Sequence, residues 1–219
     1  FFYLKYFLKG IEATGVEIEQ IDIYDPKIRI NSCKGCLSCK YSGSCAIDDD
    51  AKIIIDKIVN SRLIIFAFPV HFASIPDRLQ SLFGRFLVLF TPYCRKDMNT
   101  TRMIRRDAPD QKLVFFSTCL LPEKDQFRGC LDIFEKIAFQ MGIPILCKII
   151  RPAAAHFVLA PQMRPFLERI LDALEKSGSQ LAKVGRIPGK LLRRVSSPYI
   201  SNDSARKLIN DYFGLGKEL

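Results

Sequence analysis

The sequence predicts an α/β protein built on a parallel sheet. Three observations carry this. Continuous apolar runs recur at RLIIFAF (62–68), QKLVFFS (111–117) and IPILCKIIRP (143–152). Each is too uniformly apolar for a strand with one wet face and suits a strand covered on both. Segments with helical spacing separate these runs, and strand and helix alternate along the chain. That order demands right-handed crossovers between parallel strands.

The elements follow in order. VEIEQIDIY (16–24) alternates and is rich in Ile and Val, as a strand is. DDDAKIIIDKIVNS (48–61) opens on three acids, which suit a helix N-terminus, and its apolar residues fall at helical spacing. The run 62–68 stops at Pro69. SIPDRLQSLFGRFLVLF (74–90) is helical after Pro76. GCLDIFEKIAFQMG (129–142) is an amphipathic helix closed by Gly142. APQMRPFLERILDALEKSGSQLAKVG (160–185) is a long helix with an expected break near Gly178. Residues 186–219 read as a tail that ends in a short helix starting near Asn202 or Asp203. The domain organisation is therefore residues 1–185 as one unit with a cysteine-rich loop at 31–47, and 186–219 as an extension.

Length and composition fit this class. A chain of 219 residues is ample for a core, and its 48% hydrophobic and 26% charged residues are ordinary for a globular protein. No apolar stretch approaches the roughly 18 to 20 residues of a membrane helix. FFYLKYFLKG is too short for a signal peptide and no small-residue cleavage site follows it, so a cytoplasmic protein is expected. The net charge of +10 concentrates in residues 95–106 and 183–194. Such segments attract phosphates, nucleic acid, anionic lipid or an acidic protein, or are solvated faces. No nucleic-acid-binding motif and no interleaved surface aromatics accompany them, which argues against nucleic acid.

The most specific signal is NSCKGCLSCKYSGSC (31–45), with Cys33, Cys36, Cys39 and Cys45 spaced C-x2-C-x2-C-x5-C. Two-residue gaps let successive thiolates converge from a tight loop, and Gly35 and Gly43 relax the backbone where it turns. A [4Fe–4S] cluster takes four thiolates, and C-x2-C-x2-C is a recurring way to offer three. Zinc also takes four, usually from two separated C-x2-C knuckles. Free thiols or disulfides are the plain alternative. The compact spacing favours the cluster. The remaining cysteines, Cys94, Cys119, Cys130 and Cys147, are scattered. The loops 31–45, 69–76, 117–129 and 151–156 all follow strands, so they are expected along one edge of the sheet, where open α/β sheets bind ligands.

These residues resemble a family: the iron–sulfur flavoproteins within the NADPH-dependent FMN reductase group of the flavodoxin-like fold. The cysteine run carries the likeness, together with FAFPVHFASIPDRLQSLFGR (66–85) and the tail SSPYISNDSARKLINDYF (196–213). Pro69, Val70, Leu79 and Arg85 match the family's flavin loop and helix. His71, Gln80 and Gly84 stand where Tyr, Lys and Asp are usual. The resemblance implies a doubly wound, three-layer αβα sheet. It implies FMN lying against Pro69, Val70, His71, Phe72, Ala73 and Ser74, flanked by Ser117, Thr118 and Cys119. It implies NAD(P)H as hydride donor, a [4Fe–4S] cluster on the four cysteines, and a homodimer or homotetramer. The charge of residues 95–106 fits contact with a nicotinamide phosphate or the docking of an acidic electron-transfer protein.

One departure matters. The family begins with a strand and a phosphate-cradling loop, whereas this sequence opens in the helix that follows them. In the strand order 2-1-3-4-5 the absent strand is central, so 16–24 and 62–68 are expected to lack their shared neighbour. The expectation is a sequence without its native N-terminus, or a protein that has lost normal FMN binding.

Overall fold

The computed structural model describes residues 2–107, 110–155 and 163–214. Three strands form a parallel sheet in the order β1 (Leu63–Pro69), β4 (Lys112–Thr118), β5 (Ile145–Arg151). Leu63 pairs with Lys112 and Pro69 with Thr118. Along β4, Leu113 and Phe115 face one layer while Val114 and Phe116 face the other, and all four are buried. This explains the unbroken apolar runs: the strand needs oil on both sides.

One layer holds α3 (Ala51–Asn60), α4 (Asp77–Arg85) and α5 (Arg128–Met141). Its centre is a chain of phenylalanines. Phe66 meets Phe83 edge-on at 5.1 Å, and Phe115 meets Phe134 at 5.1 Å and Phe68 at 5.2 Å. The opposite layer holds α1 (Phe2–Glu12), α6 (Arg164–Val184) and α7 (Gly189–Ser196). The result is the αβα sandwich that the sequence predicts.

The differences have local causes. Residues 16–24 form no strand. Among the described residues no strand lies beside β1 on that side, so the segment has no ladder to join, although Ile18, Ile21 and Ile23 still pack on the core. After α4 the chain makes a 3-10 turn at Phe86–Leu89 and then an antiparallel hairpin, β2 (Phe90–Asp97) and β3 (Thr100–Arg105). The basic run 95–106 falls on this hairpin and the residue after it. Its two-residue turn, Met98–Asn99, lacks the glycine that signals such turns, and Met98 takes φ 51°. Helix α6 runs unbroken through Gly178, because that glycine lets the α1 backbone approach. The expected start of this helix at 160 and the last five residues of the tail fall outside the described residues.

The tail holds two helices, α7 and α8 (Asn202–Tyr212), of which the sequence predicts the second. Buried Arg151, at the end of β5, donates to the carbonyls of Val195 at 2.8 Å and Ser197 at 2.9 Å, and its guanidinium lies 4.6 Å from the Tyr199 ring. Val195 is buried against the sheet.

Candidate functional site

The four-cysteine loop is held by arginines rather than by a ladder. Arg78, on α4, donates to the carbonyls of Ile23 at 2.5 Å and Ile28 at 2.9 Å. Arg85, at the end of α4, is fully buried. It donates to Asn31 O at 3.1 Å, Ile47 O at 3.2 Å and the Asp49 carboxylate at 2.8 Å. Arg106, just past β3, donates to Cys39 O at 3.0 Å and Lys40 O at 2.5 Å. These fork-shaped donors satisfy carbonyls that a strandless segment leaves open. Asp49 completes the frame by accepting from Asn31 N at 2.8 Å and Asn31 Nδ2 at 3.0 Å. Burial pushes the Asp49 carboxyl up, but hydrogen bonds from Arg85 and Asn31 and the Arg85 charge outweigh it and hold it below its ordinary value.

Within the loop the backbone reverses at Gly35 (φ 67°), Leu37 (φ 59°) and Gly43 (φ 72°), so both glycines sit where a left-handed conformation is needed. Cys39 lies buried in the single turn of α2 (Ser38–Ser42), Cys33 and Cys45 are half-buried, and Cys36 is exposed. Burial raises the Cys39 thiol, and the charges of Cys45, Cys33 and Cys36 raise it further, so the four sulfurs act on one another. Hydrogen bonds from Ser38 lower the Cys36 thiol. Among the described residues no three Cys, His, Asp or Glu side chains converge into a group that would hold a metal. The donor set fits a four-thiolate centre; the loop gathers the sulfurs into one neighbourhood without closing them on a point.

The second predicted element is a tight turn. His71 and Ser74 exchange backbone hydrogen bonds of 3.1 and 2.9 Å, with Phe72 (φ 50°) and Ala73 (φ 59°) both left-handed at its tip. Two consecutive non-glycine residues there store roughly 1 kcal/mol or more each. Phe72 is wholly exposed, His71 is exposed, and Ser74 is half-buried. The Ala73 carbonyl presses on Gly129 at the start of α5, where a Cβ would stand 2.5 Å from it. Val70 N donates to Thr118 O at 2.8 Å and Ser117 Oγ to Phe68 O at 2.7 Å. Pro69–Ser74 and Ser117–Cys119 therefore meet at the carboxyl edge of β1 and β4, with Cys119 buried beneath. A platform made of two strand ends and an exposed aromatic turn fits a flat heteroaromatic ring.

The cysteines do not share that edge. Cys33 packs against Gly84, where a Cβ would lie 3.4 Å from the Cys33 Cβ. Lys40 lies 5.3 Å from the Phe90 ring at the base of the hairpin. The loop thus descends along α4 toward its end, while the turn 71–74 precedes its start. Seven residues separate Asp77 from Gly84, about 10 Å of helical rise.

Sequence reasoning missed Asp49, Arg78 and Arg106 and assigned Arg85 no role. The acids at 48–50 read as a helix N-terminus, which Asp49 also serves through Ala51 N at 3.3 Å. Nothing in the residue types signals that Arg106 would reach back to Cys39. Of the basic hairpin, Arg102 pairs with Asp97 at 2.9 Å, Arg105 binds Asp107 and Gln111, and Arg106 holds the cysteine loop. Only Arg95 and Lys96 of the five cations at 95–106 project fully into solvent without such duties among the described residues.

Comparison with known proteins follows the same lines. Residues 2–100 match the family described as NADPH-dependent FMN reductase. An iron–sulfur flavoprotein of Methanocaldococcus jannaschii is 36% identical over 78 residues, covering 36% of this chain and 39% of that protein. An iron–sulfur flavoprotein of Archaeoglobus fulgidus is 31% identical over 80 residues, covering 36% of each. The matched stretch spans less than two fifths of the length of these relatives. The solved NAD(P)H:quinone oxidoreductase from Methanothermobacter marburgensis superposes with a TM-score of 0.56 at 16% identity, covering 82% of this chain and 87% of that one. An FMN-dependent NADH-azoreductase from Bacillus anthracis gives 0.57 at 16% identity, covering 83% and 90%. At such identity the likeness carries the fold alone. Among the described residues no helix is long and apolar enough to cross a membrane. Residues 2–100 are thus similar to the NADPH-dependent FMN reductase family, and the sheet is that of the flavodoxin-like fold.

Proposed function

We propose that the protein is an FMN-dependent oxidoreductase of the cytoplasm that draws on NAD(P)H and delivers single electrons through a [4Fe–4S] cluster on Cys33, Cys36, Cys39 and Cys45. The observation that carries this reading is the four-thiol loop anchored by Arg85 and Arg106 beside the helix that leaves the flavin turn. When bound, FMN would supply hydride acceptance and single-electron release, and Cys33, Cys36, Cys39 and Cys45 would hold a cluster that takes electrons one at a time. The chain's own part is to position. Pro69–Ser74 present the His71 and Phe72 rings, Ser117 fixes the strand end beneath them through Phe68 O, and Cys119 and Thr118 close the other side. The Arg85 and Arg106 cations lie beside this loop and would lower the cost of gathering ligating thiolates there.

The two sites sit at opposite ends of α4, and we assign the assembly as a homodimer or homotetramer in which one subunit's cysteine loop faces another's turn. Arg95 and Lys96 are the surface for an acidic electron-transfer protein, a role their exposure supports. A second reading has zinc on the same cysteines in a non-enzymatic scaffold. The four thiols serve it equally well, and the spacing disfavours it.

Anaerobic purification with absorbance, iron, zinc and flavin analysis tests the proposal. A brown protein with FMN and about four iron atoms per chain supports it. A colourless protein carrying one zinc per chain overturns it in favour of the scaffold.

A further inference from the structure

The family's flavin and cluster chemistry assigns no task to the buried pair Arg85–Asp49, yet among the described residues no other pair holds the cysteine loop at both ends. Both side chains are wholly excluded from solvent, with 2.8 Å between Arg85 Nη1 and Asp49 Oδ2. One guanidinium grips Asn31 O, two residues before Cys33, and Ile47 O, two residues after Cys45. It closes a loop of some fifteen residues with hydrogen bonds that a shorter or rounder cation does not reproduce. Gly84, next to it, leaves room for Cys33 against α4. Cys45, two residues before Ile47, lies beside the same guanidinium. One donor remains: Arg85 Nε is buried with no hydrogen-bond partner. A buried cationic N–H without an acceptor is costly, so an acceptor placed beside it is favoured.

We propose that Arg85, oriented by Asp49, is a positioning residue for metal ligation by this loop. It sets the distance between the outer ligands Cys33 and Cys45 and offers its spare N–H to the metal-bound sulfur of Cys45. The pair is a frame that stays fixed while the cysteines close on the metal. This rests on the reading of the four cysteines as ligands. A hydrogen-bonded partner of a ligand typically contributes 10- to 100-fold in metal affinity. Replacing the pair by apolar residues of similar size is often tolerated by the fold, because it removes two buried charges together.

The test uses the full chain, reduced, metal-free and anaerobic, titrated with Co2+ and read by its sulfur-to-cobalt charge-transfer and visible d–d bands. Wild type, Arg85→Lys, the double variant Asp49→Leu/Arg85→Met, and Cys45→Ser as a three-thiolate reference are compared, with near-ultraviolet circular dichroism reporting the fold. Arg85→Lys keeps the charge beside Asp49 but cannot span Asn31 and Ile47. The expected result is a four-thiolate spectrum in wild type. Both frame variants should lose about tenfold or more in Co2+ affinity, with spectra shifted toward that of Cys45→Ser. Wild-type affinity and a four-thiolate spectrum in the folded variants would overturn the positioning role while leaving the cysteine ligands intact. Absence of any sulfur-to-cobalt band in wild type would overturn the ligand reading itself.

Discussion

Gly178→Ala is the sharpest test of how this fold is packed. Helices α1 and α6 cross backbone to backbone. A Cβ at Gly178 would overlap the Phe7 carbonyl oxygen and stand 3.1 Å from Ile11 N; a Cβ at Gly10 would overlap the Glu175 carbonyl oxygen. On an exposed helix face the change to alanine stabilises by about 1 kcal/mol. Here the methyl meets main chain, which has no rotamer to turn away. The helices must part by something on the order of 1 Å, and a gap of that size forfeits a quarter to half of each dispersion contact along the crossing. Phe7, Leu8 and Ile11 on α1 and Ile170, Leu174 and Leu181 on α6 lose contact together. Overpacking a site of this kind costs about 3 kcal/mol. Set against the helix gain, the net is roughly 2 kcal/mol, or a fall in Tm of about 4–8 °C for a chain of this size. Thermal and urea unfolding of Gly178→Ala, Gly10→Ala and the double variant measure it. The double variant should cost less than the sum, since one separation accommodates both methyls. An unchanged or raised Tm in Gly178→Ala would refute the close crossing.

Three further outcomes are expected. Because the Asp49 carboxyl is held below its ordinary value, its stabilisation is present above that ordinary value of 3.8 and is lost as pH falls through the lowered folded value; urea midpoints should drop as pH falls below 3.8, and the Asp49→Leu/Arg85→Met variant should drop less steeply. In the reduced, metal-free protein, alkylation at pH 7.5 followed by peptide mass spectrometry should modify Cys36 first, since Ser38 lowers it. It should reach Cys130 and Cys147 last, since burial pushes them up to about 11 and 12; early labelling of Cys147 would contradict that burial. Phe72→Ala should leave stability within about 0.5 kcal/mol, the ring being wholly exposed. It should weaken FMN binding by several-fold or more, worth about 1 kcal/mol of ring stacking; equal FMN affinity by fluorescence titration would remove Phe72 from the site.

By itself the sequence determined the layered class and the candidate ligands. The runs at 62–68, 111–117 and 143–152 are apolar on both faces, and only a covered parallel strand uses such a run, so β1, β4 and β5 were legible within two residues. The cysteine spacing was equally plain, because ligand chemistry needs residue types at close intervals. What the tertiary structure decided is everything that depends on a neighbour. VEIEQIDIY has strand chemistry, but strand formation needs a ladder, and no described strand lies beside it. Gly178 reads as a helix breaker in isolation and is a point of helix contact in the fold. Arg85 and Arg106 look like surface charge in the sequence. They bind carbonyls of residues 31, 39, 40 and 47, which lie 38 to 67 positions away, and no local pattern carries that information. Side-chain chemistry is written locally and hydrogen-bond partnership is not, so the sequence could name the four cysteines but only the fold could show what holds them.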